Sequence, residues 1–209
     1  MFRSIADTVE NAESNHLPIS ELVINYESEL SGQSRGQVFV TMRDRLEVMR
    51  QSANAALQKP VHSFSGLTRG SAYQFNQWLQ GGAQPVTGSL LSRALAHALS
   101  VSEVNAGMGC IVATPTAGSA GILPGVLLAL QEERGFTNDQ LIQVMFTAAG
   151  IGMVIVHRAH VSGAAGGCQA ETGSAAAMAA LAVVELLGGT PRMAAHAVAI
   201  ALKNMLGLV

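Results

Sequence analysis

Between residues 42 and 56 the apolar positions Met42, Leu46, Met49, Ala53 and Ala56 recur at steps of four, three, four and three, while Arg43, Asp44, Glu47 and Arg50 fall between them. Those steps put the apolar set on one face of an α-helix and the charges on the other. The pattern predicts a surface helix over residues 37–58. Past Gly82 helix signals persist, but the polar face disappears. Thr137 followed by Gln140 is a capping-box pattern that opens a helix over 139–156. Thr190 followed by Pro191 pairs an N-cap with proline at the first helical position, and predicts a helix over 192–205. An alanine-rich stretch predicts a third helix over 171–187, and 122–130 reads as helical despite Pro124. No period-two alternation of useful length marks a strand. The expectation is one all-α domain over 1–209, with amphipathic helices in 1–82. Residues 83–209 supply a hydrophobic centre made of the four later helices, with glycine-rich loops between them.

Composition narrows the function. Charged residues make up 12% of the chain, about half the usual share. A surface this poor in charge points to coverage by a partner. The net charge of −2 excludes the basic footprint of a nucleic-acid binder. The apolar run 144–156 is shorter than the roughly 20 residues that cross a bilayer, so no membrane span is expected. The opening MFRSIADTVE lacks a basic and then apolar leader, and there are only two cysteines. Both facts point to a reducing, cytoplasmic compartment.

Several residues are candidates for chemistry. Thr114-Pro115-Thr116-Ala117-Gly118-Ser119-Ala120-Gly121 leads into the helix at 122. Small residues allow close backbone approach, and a helix start offers unpaired N–H groups to a carboxylate or phosphate. No Gly-Lys-Ser/Thr follows, so this is not a P-loop. A tight turn between packed helices accounts for the same composition, and both readings stand. His157 and His160 are spaced like a metal pair but have no nearby carboxylate, and a helix C-terminus explains them better. His62 lies in a loop-like stretch and reads as a surface or a catalytic histidine. Glu171 suits the first turn of a helix. Cys168, between Gly166-Gly167 and Gln169-Ala170-Glu171, has only Cys110 as a fellow cysteine, far from any zinc spacing. It is either a small buried thiol or one ligand of a set completed elsewhere.

Ordered motifs go further. Met1-Phe2-Arg3, Ser65-Gly66-Leu67-Thr68, Asn105-Ala106-Gly107-Met108-Gly109, the run Ala113 to Gly121, the run Ser162 to Glu171, and Leu202-Lys203-Asn204-Met205-Leu206-Gly207-Leu208-Val209 together resemble the α chain of bacterial iron–sulfur-dependent L-serine dehydratase. Arg69 departs from the pattern, where glycine is expected, and Cys110 has no counterpart in it. The resemblance implies that Cys168 is one of three thiolate ligands of a [4Fe–4S] cluster. The other two are expected in a Cys-Asp-Pro-Val…Pro-Cys segment following Val209. A single thiolate does not hold such a cluster, so residues 1–209 alone are not expected to carry one. Residues 162–167 and the C-terminal end are then expected to be loosely held.

Three ligands leave one iron open, and by resemblance that iron activates the hydroxyl of L-serine, giving pyruvate and ammonia. The substrate carboxylate is assigned to Asn105, Thr116, Ala117, Gly118, Ser119, Ala120 and Gly121. The base is unidentified. Because one serine spans both groups, Cys168 is expected about 10 Å from the 114–121 loop and close to Val209. A β chain and an oligomeric assembly are the implied partners. A related iron–sulfur lyase acting on cysteine, or a non-catalytic helical scaffold, are the alternatives.

Overall fold

Thr137 and Thr190 cap helices as their positions predict. A computed structural model describes residues 2–206 of the chain, and among them it contains nine α-helices and no strand. These are α1 (Ile5–Ser14), α2 (Ile19–Ser31), α3 (Arg35–Gln58), α4 (Ser71–Gln80), α5 (Gly88–Ala106), α6 (Ile122–Arg134), α7 (Asn138–Arg158), α8 (Gly163–Leu186) and α9 (Pro191–Met205). Thr137 accepts the N–H of Gln140, and Gln140 reaches back to the cap, completing the capping box of α7. Thr190 accepts the N–H of Met193 at the start of α9, with Pro191 at the first helical position. Pro124 is third in α6, inside the first turn, where a missing N–H breaks no helical bond. In α3, Leu46, Met49, Ala53 and Ala56 are buried while Arg43, Asp44 and Glu47 are exposed, as the periodicity requires.

The contacts divide the chain into two units, one of Met1–Asp44 with Thr137–Val209 and one of Arg45–Phe136. The composition change near Gly82 falls inside the second unit, between α4 and α5. Three of the four helices expected at a common centre, α7, α8 and α9, pack in succession in the first unit. The fourth, α6, belongs to the second and packs on α5.

In the first unit α7 lies against α2 and α8, and buries Leu141, Ile142, Val144, Met145, Phe146, Ile151 and Val154. The length argument against a membrane span needs correction here. Taken whole, α7 has 21 residues and is apolar enough to cross a bilayer. Its burial against its neighbours is what identifies it as a core helix. Phe146 stacks on Phe39 at 6.4 Å between ring centroids. Glu185, in the last turn of α8, accepts the N–H groups of Ile19 (3.1 Å) and Ser20 (3.2 Å) and the hydroxyl of Thr147 (2.9 Å). Those amides open α2, whose cap residue Pro18 has no side-chain acceptor. At the rim Arg192 donates to Glu13 (2.8 Å), chiefly through this hydrogen bond holding the Glu13 carboxyl below its usual range. In the second unit α5 is central. Ser100 donates to Ser52 O (2.7 Å) and accepts the N–H of Ala56 (3.0 Å), tying α5 to α3. His97 is buried between Ala53 O and Glu132, with Nε2 3.0 Å from Oε1.

Two glycines of α7 separate packing that cannot yield from packing that can. A Cβ on Gly150 would lie 2.4 Å from Cγ2 of Val23, a stiff β-branched side chain on α2. A Cβ on Gly152 would meet the flexible end of Met178, at 3.0 Å from Cε. Gly150→Ala is therefore expected to lower stability by about 1–3 kcal/mol. Gly152→Ala should be neutral or gain up to about 1 kcal/mol from helix propensity. Urea unfolding of the two variants checks this, and equal losses would refute it.

Candidate active site

The 114–121 loop is held on α5 by glycine. A Cβ on Gly121 would sit 2.5 Å from the carbonyl oxygen of Ala98, and one on Gly125 would sit 2.7 Å from that of Ala94. Backbone meets backbone there, so no side chain fits between the start of α6 and α5. Asn105, in the last turn of α5, adds a brace, its Nδ2 donating to Ala117 O at 3.2 Å. Both readings of this loop are thus present in one object. It is a tight turn between packed helices, and it is also the N-terminal approach to α6.

The seven residues assigned to the substrate carboxylate divide by exposure. Ala117 and Gly118 are exposed, Asn105 and Thr116 are half-buried, and Ser119, Ala120 and Gly121 are buried against the protein. Ser119 is only 2% exposed, and its hydroxyl donates inward to Thr114 O at 3.1 Å. Its Oγ also lies 3.2 Å from that of Thr116. Ser119 therefore shapes the loop from inside, and does not present a free donor to solvent. The amides of Ala117 and Gly118 make no backbone hydrogen bond among the described residues, and they are the donors an anion can reach. Thr114, joined to Pro115 by a cis peptide, keeps a buried hydroxyl oxygen with no hydrogen-bond partner among the described residues.

Cys168 is exposed and free, not a buried core thiol. The helix predicted over 171–187 begins earlier, at Gly163, because a turn precedes it. That turn is helical up to Gly166, where a loosely held segment was expected. Gly167 then breaks the helix with φ 74° and ψ 170°, and Cys168 starts the long second segment. Among the described residues no three His, Cys, Asp or Glu side chains converge as a metal site. Cys168 fits the role of one thiolate ligand, and the described residues do not complete a set. Gly207, Leu208 and Val209, beside which Cys168 was expected, lie outside the described residues, as does Met1. Cys168 belongs to the first unit and the 114–121 loop to the second.

The remaining candidates resolve simply. His157 closes the last turn of α7 and His160 follows it, both exposed, as a helix C-terminus explains. Cys110 is also exposed. His62 forms an isolated bridge with Arg69, whose Nε donates to Gly66 O (3.0 Å), so Arg69 closes the 63–68 turn on itself. Sequence reasoning missed Glu103 and gave Gly107 no structural role. Glu103 is buried in the last turn of α5, and Oε1 accepts the N–H of Ser71, the first residue of α4, at 2.5 Å. A Cβ on Gly107 would lie 3.3 Å from His62 O and 3.0 Å from Cγ1 of Val61. The one available signal was a carboxylate two residues before Asn105 in a stretch otherwise poor in charge.

Relatives place this helical protein, with its glycine-clamped loop and an exposed thiol at a broken helix start, in the class of serine dehydratases. The family model described as serine dehydratase alpha chain matches residues 14–209. The chain is 44% identical over 209 residues to the "Probable L-serine dehydratase, alpha chain" of Bacillus subtilis, covering all of this chain and 69% of that protein. It is 38% identical to the "L-serine dehydratase, alpha chain" of Peptoniphilus asaccharolyticus, covering 71% of that protein. Over 113 residues it is 45% identical to "L-serine dehydratase TdcG" of Escherichia coli, 25% of that protein. The chain belongs to the serine dehydratase α-chain family.

The clamp makes a direct prediction. In Gly121→Ala the new Cβ meets a backbone carbonyl that cannot move aside, so the loop must lift from α5. Stability should fall by about 1–3 kcal/mol in chemical denaturation. A variant as stable as the parent would show that Gly121 does not hold the loop.

Proposed function

We propose that this chain is the α subunit of an L-serine dehydratase, which eliminates water from L-serine and yields pyruvate and ammonia. The observation that carries the reading is the 114–121 loop, a rigid turn with accessible Ala117 and Gly118 amides in a chain of this family. Serine's carboxylate binds these amides, and Asn105 keeps the Ala117 peptide oriented from behind. The rigidity matters because a carboxylate held in one place fixes Cα and the β-hydroxyl for reaction. A base takes the α-proton, the β-hydroxyl leaves as water, and the resulting aminoacrylate tautomerises to an imine. Hydrolysis of the imine releases ammonia and pyruvate.

Cys168 supplies one thiolate to a [4Fe–4S] cluster. Bound, that cluster contributes Lewis acidity at the β-hydroxyl, making it a better leaving group. The exposed, helix-starting thiol supports this role. A β chain completes the assembly in the cytoplasm. Supporting it, Leu91, Leu95 and Leu99 form an apolar stripe along α5 that remains exposed.

Ser119→Ala removes the inward hydrogen bond that shapes the loop. In the assembled enzyme the KM for serine is expected to rise about tenfold, with a smaller change in kcat. Unchanged kinetics with an intact cluster would mean that the loop does not hold substrate. Cys168→Ser, in the full-length chain reconstituted without oxygen, should lose cluster absorbance and serine turnover together. Survival of both would end the cluster role of this thiol, and turnover of cysteine in preference to serine would end the substrate assignment.

A further inference from the structure

The helix that ends in the kink at Gly167 has a cap problem. Ser162 stands at the N-cap of α8, yet its side chain makes no capping hydrogen bond. The N–H groups of Ala165 and Gly166 bond to Ser162 O, which leaves those of Gly163 and Ala164 at the open start of the turn. Glu171, half-buried in the first turn beyond the kink, folds back against Gly163. A Cβ on Gly163 would lie 2.7 Å from Glu171 Oε2 and 3.2 Å from its Cδ. The carboxylate thus occupies the space that any side chain at 163 would need. A second close approach runs beside it, since a Cβ on Gly166 would lie 2.6 Å from Cβ of Ala170 and 2.9 Å from His160 O. Two glycines let the short turn fold down onto residues 170 and 171, with Gly167 as the hinge and Cys168 immediately after it. On the far side Thr172 Oγ1 donates to Cys168 O at 3.0 Å, fixing the peptide that carries the thiol.

We propose that Glu171 is a positioning residue for Cys168: its carboxylate latches the 163–166 turn onto the helix that Cys168 begins, and so sets the direction in which the thiol leaves the chain. The role rests on the reading of Cys168 as a cluster ligand, but the latch is a property of the polypeptide alone. Gly163 is glycine because the carboxylate sits against it. Glutamine at 171 keeps an acceptor oxygen in the same place and should preserve the latch, whereas alanine removes it.

The test uses the full-length chain with its β partner, and compares Glu171→Ala, Glu171→Gln, Gly163→Ala and the double variant Gly163→Ala/Glu171→Ala. Hydrogen exchange of the metal-free protein reads the latch, and iron retained against a chelator after anaerobic reconstitution reads its effect on Cys168. Glu171→Ala should loosen the turn and speed amide exchange at residues 163 and 164 about tenfold, the size of one lost polar contact, and release iron several-fold faster. Glu171→Gln should stay near the parent in both. Gly163→Ala should resemble Glu171→Ala, because its Cβ drives the carboxylate out, and the double variant should be no worse than either single one. Parent-like exchange in Glu171→Ala, or additive effects in the double variant, would overturn the proposal. If the parent protein takes up no iron, the cluster reading fails, while the exchange data still decide the latch.

Discussion

The first amides of an α-helix have no carbonyl partner within the helix, and a buried helix start must find an acceptor elsewhere. In this protein glutamates from distant helices meet that need. Pro18 and Gly70, at the caps of α2 and α4, carry no side-chain acceptor. Glu185 from α8 bonds the first two amides of α2, and Glu103 from α5 bonds the first amide of α4. The consequences are architectural. Glu185 joins α2, α7 and α8 at one point through Thr147, and Glu103 fastens the end of the 62–70 loop to the last turn of α5.

Close backbone approach is the second constraint, and it places the 114–121 loop. Gly121 and Gly125 bring α6 onto Ala94 and Ala98 of α5 so tightly that a methyl group does not fit. With those contacts made, the preceding residues have nowhere to go but over the end of α5, where Asn105 meets Ala117. The last turn of α5 therefore serves three neighbours: Glu103 faces α4, Asn105 faces the 114–121 loop, and Gly107 admits the Val61–His62 backbone. Residues two apart on a helix point to opposite sides, which is why one short turn can hold two different loops.

The elements with local signals were legible in the sequence. The α3 stripe, the Thr137 capping box and the Thr190-Pro191 start each depend on residues within a few positions of one another, and each appears as read. The motif residues of the candidate site were legible as well, because small residues and a lone cysteine between glycines are visible without a fold. Their roles were less so. Ser119 reads as a donor in sequence, yet in three dimensions its hydroxyl turns inward to Thr114 O. Cys168 reads as a small buried thiol or a ligand, and only the break at Gly167 puts it at an exposed helix start.

By itself, then, the sequence determined the helical class, the capped helix starts, the loop that offers amides and the thiol that could bind metal, since all of these follow from periodicity and residue chemistry at short range. Tertiary structure decided which helices pack as partners, which of the loop's groups face solvent, and which glutamates close which helix ends. The reason is that these choices link residues as far apart as Ile19 and Glu185. No local pattern of propensity or spacing carries information about a partner that only folding brings within 3.1 Å.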